Sequence, residues 1–231
     1  MRDLKAISGE LSRAESNPEV KAVVLTSTND RFFCSGLDLP SMVHEEKANN
    51  GQQAEAILDF YKEILTFSKP LICEIKGHAM GAGAALALCC DYRFMVDGKA
   101  KIAFNEVLIG IPLPTLFIEK LKLTVDARAI RSLSLEGKSL RATDALSIGL
   151  VDGIDTTASA TRDMVIQKAE ELMKIPATGY KLTRKNLHEG LLNDLDNCKK
   201  TASLNMQNDV VDKNLREVVS AISEKRRPRL L

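Results

Sequence analysis

Three short stretches of this chain combine residue types suited to holding a negative oxygen next to a proton-transfer group. Ser35-Gly36-Leu37 and Gly81-Ala82-Gly83 read as glycine turns, and Glu106 ends a short apolar strand. Glycines where a strand passes into a helix let the backbone approach a ligand, and the helix start offers unpaired N–H groups of partial positive charge. Two N–H groups from separate turns can converge on one carbonyl oxygen and stabilise an enolate, with a nearby carboxylate to move protons. Taken on its own, Glu106 has a second reading as a turn cap, a common task for carboxylates at strand ends.

Two rival chemistries fail on single residues. A dinucleotide fingerprint beginning at Gly81-x-Gly83 has Leu86 in its sixth position, and it does not lie in a first strand-helix unit. The run Gly77-His78-Ala79-Met80-Gly81 has the glycine spacing of a nucleophile elbow, but Ala79 stands where the nucleophile would be. Asp38 and Asp91 read as carboxylates bonding local backbone, and His78 as a packed histidine. No Cys-x-x-Cys or His-Glu-x-x-His run offers a metal site.

The elements that must position these residues follow from periodicity and punctuation. An amphipathic helix carries Leu4, Ile7, Leu11 and Ala14 and stops before Asn17-Pro18. Residues 20–27 form a buried strand, and 31–39 an apolar segment bent at Gly36. Residues 40–53 turn polar and are expected to form a mobile loop or lid. Residues 54–67 are helical, 71–75 a strand, 84–90 a helix of small and apolar residues, 92–96 a strand and 101–104 a short strand. Helices follow at 116–121, 125–134 and 142–148, then a last strand at 151–154. Strands alternating with helices imply a mostly parallel sheet system. From residue 158 onward the composition is helical and charged, so a boundary is expected near Asp155.

Composition narrows the class. The chain has 231 residues, 45% hydrophobic and 27% charged, enough for one sizeable core plus an appendage. A formal net charge of +1 argues against nucleic acid as a partner. Five scattered cysteines in apolar surroundings fit reduced thiols in an intracellular protein. The apolar runs are too short for a membrane span.

The stretches RFFCSGLDL, KPLICEIKGHAMGAGAALALCCDYRFM, IAFNEVLIGIPLP and ATDALSIGLVD, in this order, resemble the crotonase, or enoyl-CoA hydratase/isomerase, superfamily, and within it the Δ3,Δ2-enoyl-CoA isomerases. The resemblance implies an α/β fold of the crotonase (ClpP/crotonase-like) type, a spiral of ββα units. It implies a core over 1–155 lacking the family's N-terminal strand pair, and a helical trimerisation region over 156–231. The substrate it implies is a coenzyme A thioester, with no separate cofactor and no metal. The implied assembly is a homotrimer or dimer of trimers inside the cell, in a mitochondrial or peroxisomal matrix if the source is eukaryotic.

Residue by residue, the resemblance makes the backbone N–H groups of Leu37 and Ala82 the oxyanion hole and Glu106 the catalytic carboxylate. Gly36, Gly81, Gly83 and Phe104 become substrate-binding positions. Hydratases of the family carry a second glutamate where this chain has Ala85, and dienoyl isomerases use an aspartate where it has Pro114. Hydration needs a water held between two acid/base groups, whereas a 1,3 proton shift can be run by one carboxylate. The expected reaction is therefore isomerisation of 3-enoyl-CoA to trans-2-enoyl-CoA in fatty-acid β-oxidation. Apolar Phe104, Leu108 and Ile109 are expected to raise the pKa of Glu106. The alternatives are another crotonase-type reaction, hydratase-like, or a catalytically silent acyl-CoA-binding subunit.

Overall fold

The computed structural model describes residues 2–43 and 47–231. Two parallel sheets share the strands, and the chain deals them out in turn. β1 (Val23–Leu25), β3 (Leu71–Ile75), β5 (Tyr92–Val96) and β7 (Gly153–Asp155) form a four-stranded sheet in the order β1-β3-β5-β7. β2 (Phe32–Cys34), β4 (His78–Met80) and β6 (Ile102–Ala103) form a three-stranded sheet in the order β2-β4-β6. Each pass gives one strand to each sheet and then a helix, so the chain advances as a spiral of strand-strand-helix units. Gly77 makes the step from β3 to β4 possible, because a β-carbon there would lie 2.4 Å from the Arg31 carbonyl carbon.

α1 (Arg2–Ser16) precedes β1, and α2 (Leu39–Val43) and α3 (Lys47–Thr66) lie between β2 and β3. α4 (Ala82–Cys89) follows β4 and is buried from Gly83 to Cys89, which explains a composition of alanine, leucine, cysteine and glycine alone. Gly83 sets the closeness of that packing, since a β-carbon there would meet the Cys34 carbonyl oxygen at 2.2 Å. After β6 come a 3-10 turn (Glu106–Ile109), α5 (Thr115–Lys122), α6 (Ala127–Leu135) and α7 (Ala142–Ser147).

Four helices complete the described chain: α8 (Ala158–Met173), α9 (Ala177–Asn193), α10 (Leu195–Met206) and α11 (Asp209–Ser223). Val165, Ala169 and Leu172 of α8 pack on Ile72 and Phe94, covering the outer face of the four-stranded sheet. α10 runs along α3, and α11 lies against α2.

The polar stretch expected as a loop or lid is helical over its described part. α2 spans Leu39–Val43, with Met42 packed on Met206, Val211 and Leu215, and α3 begins at Lys47. Residues 44–46 lie outside the described residues. The cause is tertiary: Asn50 and Gly51 are buried against α10, and Gly51 leaves room for Gln207 and Ser203, whose side chains a β-carbon would meet at 2.4 and 2.7 Å. The strand β4 also differs from expectation: its three residues lie between Gly77 and Gly81, where the sequence reading places no strand.

Candidate active site

Gly36 brings the first turn to the second. Its φ of +99° is open to glycine, and a β-carbon there would lie 3.0 Å from the Met80 carbonyl oxygen and 3.8 Å from the Ala82 nitrogen. Gly81, at φ 52° and ψ −121°, swings the chain from β4 into α4. Ala82 is the first residue of α4, so its N–H has no intrahelical acceptor. Among the described residues, no acceptor takes the N–H of either Leu37 or Ala82. Both residues line one cavity of about 160 Å³, together with Gly36, Gly81 and Glu106.

Glu106 opens the 3-10 turn, which Gly110 closes in the left-handed region by donating its N–H to the carbonyls of Glu106 and Val107. That turn presents the carboxylate to the second glycine turn: a β-carbon at Gly81 would sit 3.3 Å from Glu106 Oε1. Glu106 Oε2 is buried with no hydrogen-bond partner. Burial raises its pKa from an ordinary 4.5 to about 7, with a bond from its own backbone N–H pulling partly the other way. It is the one carboxylate among the described residues lining the cavity.

Two of the expected substrate-binding residues lie behind the site. Phe104 is 1% exposed in the main core, outside the cavity wall. Gly83 is packed against Cys34 and serves the seating of α4. Leu108, expected to enclose Glu106, is 55% exposed and turns towards Gly137. Ala85 is fully buried, so α4 places no polar group one turn into the helix. His78 Nδ1 accepts the Lys101 N–H at 3.1 Å, the packed role its sequence setting suggests.

Residues of distant stretches complete the wall, and no local signal marks them. Tyr61 of α3 lines the cavity and donates its hydroxyl to the Ala82 carbonyl oxygen at 2.7 Å. Thr201 and Asn205 of α10 contribute polar groups, and Met42, Met206 and Phe117 apolar ones. The described residues contain no cluster of three or more His, Cys, Asp or Glu suited to a metal ion, and no helix long and apolar enough to cross a membrane.

The spiral of parallel ββα units is a crotonase fold, and one cavity in it is lined by Leu37, Ala82 and the buried Glu106. The family model described as enoyl-CoA hydratase/isomerase matches residues 5–230, and the chain belongs to that enzyme family. Mouse mitochondrial enoyl-CoA delta isomerase 1 is 29% identical over 229 residues, covering 94% of this chain and 76% of that protein. Human mitochondrial Δ3-Δ2-enoyl-CoA isomerase superposes with a TM-score of 0.89 at 23% identity, over 96% of this chain and 88% of the other. The enoyl-CoA hydratase of Bacillus halodurans superposes with a TM-score of 0.82 at 20% identity, over 92% and 88%. The fold is thus common to both reactions, and the site has to separate them.

Proposed function

We propose that this chain converts a 3-enoyl-CoA into the trans-2-enoyl-CoA. The thioester carbonyl would accept the N–H groups of Leu37 and Ala82. Glu106 would remove a C2 proton, the negative charge would spread onto the held oxygen as a dienolate, and the protonated Glu106 would return a proton at C4. A carboxylate with a pKa of about 7 suits both halves, since it can take and give a proton near neutral pH.

The observation that carries this reading over hydration is the single carboxylate. Adding water to a 2-enoyl-CoA calls for a second acid/base group to hold and activate that water, and the position that would supply it is the buried Ala85. A coupled assay that monitors 2-enoyl-CoA formed from 3-enoyl-CoA tests the proposal, run beside hydration of 2-enoyl-CoA. Isomerisation lost in Glu106→Gln, with hydration slow in both proteins, is the expected result. Isomerase activity retained by Glu106→Gln, or hydration faster than isomerisation in the unaltered chain, would sink it.

The same proposal makes coenzyme A part of the substrate, with no separate cofactor. It extends to a mitochondrial setting, on the name of the mouse relative, and to a homotrimer or dimer of trimers. The exposed side chains of Leu182 and Leu187 on α9 offer apolar surface for such an assembly. A mass measured by light scattering at one chain's value would remove that part.

A further inference from the structure

We propose that Tyr61 is a positioning residue for the oxyanion hole, its hydroxyl fixing the first turn of α4 and thereby the direction of the Ala82 N–H. The inference rests on the acyl-CoA reading above. The conformation of Gly81 leaves the entry to α4 unrestrained by any side chain, and the helix starts without a side-chain cap. Its first turn therefore needs a hold from elsewhere, because Ala82 carries the second donor.

Tyr61 supplies that hold from α3. Its ring is 1% exposed and meets Phe60 and Phe117 edge-on at centroid distances of 5.4 and 4.6 Å, which leaves the hydroxyl little freedom. The Ala82 carbonyl is also the intrahelical acceptor for the N–H four residues on, so the phenol occupies its second lone pair and pins a group already satisfied. Burial pushes the phenol pKa well above its ordinary value, so the donor keeps its proton throughout the working pH range.

The far end of α4 is tied to α3 as well. The Arg184 guanidinium donates to the carbonyls of Ile64, Leu65 and Phe67 at the end of α3, and to Asp91 just beyond α4. The C-terminal part of α3 is thus bridged to both ends of α4, and the Tyr61 hydroxyl is the bridge nearest the reacting atoms.

Tyr61→Phe removes the hydroxyl and little else. The expected result in the isomerase assay is a kcat lowered about tenfold, with KM within about twofold. A second reading uses hexanoyl-CoA carrying ¹³C at the thioester carbonyl. Its infrared stretch should shift on binding to the unaltered protein, and that shift should shrink in Tyr61→Phe. Because only folded sites bind the ligand, the spectrum serves even if the variant melts too low for kinetics. An altered melting temperature with kcat and carbonyl shift both unchanged would reduce Tyr61 to a packing residue and overturn the proposal. A raised KM at constant kcat would do the same, making it a wall of the acyl site. If the unaltered protein neither turns over 3-enoyl-CoA nor shifts the carbonyl, the proposed function is what has failed.

Discussion

Glu106 is held ready by a stability penalty, and that penalty has a sign that can be tested. Its pKa is higher in the folded chain, about 7, than the ordinary 4.5 it regains on unfolding, so the folded state binds the proton more tightly. The favourable contribution is full below pH 4.5, fades as pH rises, and is gone above about 7, where the buried charge costs on the order of 3 kcal/mol. Glu106→Gln escapes that cost. Urea denaturation should find the variant more stable than the unaltered protein at pH 8, with the difference shrinking towards pH 5. A difference independent of pH would mean that the carboxylate is not desolvated. The same titration sets the activity profile: kcat/KM should rise with pH up to about 7 and then level off, as the base form of Glu106 accumulates.

At the scale of elements, the site depends on how closely α4 and its entry turn lie against β2. A β-carbon at Gly83 would stand 2.2 Å from a backbone oxygen of Cys34, and backbone cannot yield as a side-chain tip can. Gly83→Ala should therefore destabilise by about 2 kcal/mol or more and lower kcat by shifting Ala82. Denaturant melts and kinetics on the folded fraction check both effects, and a variant with unaltered stability would contradict the packing. The contrast between α4 and α3 explains what sequence alone reveals. β3, β5 and α4 are buried on nearly every side, so their apolar runs announce them, and the two glycine turns and Glu106 stand beside those runs. The start of α3 carries a largely polar run, and the burial of its Asn50 and Gly51 comes from α10 some 150 positions later. Tyr61 is hidden for the same reason: in the sequence it is an aromatic beside Phe60 in a helix of mixed polarity, and its acceptor belongs to another element. β4 escapes because three residues between Gly77 and Gly81 become a strand only through partners in β2 and β6.

For the whole molecule, the question is whether α8 to α11 fold with the sheets or apart from them. Asp91 is the place to ask. Its carboxylate accepts the Leu71 N–H of β3 at 2.8 Å, the Tyr180 hydroxyl at 2.9 Å and the Arg184 Nε at 2.7 Å, so one side chain ties α9 to the strands and to α4. Arg184 is 3% exposed, and without its counter-charge it would be a cation stranded in the interior. Removing one member of such a buried pair typically costs about 3–5 kcal/mol, whereas replacing both by apolar groups can be close to neutral. Asp91→Ala should thus lose more stability than the double variant Asp91→Ala with Arg184→Met, although the double variant still forfeits the bonds to the carbonyls of Ile64, Leu65 and Phe67. A double-mutant cycle in urea measures this coupling. If the helices and sheets are one cooperative unit, circular dichroism and fluorescence should follow a single transition in all four proteins, displaced to lower urea in the variants. Two separated transitions in Asp91→Ala would mean that the helical region holds together without the sheets, and that Asp91 joins two folding units instead of bracing one.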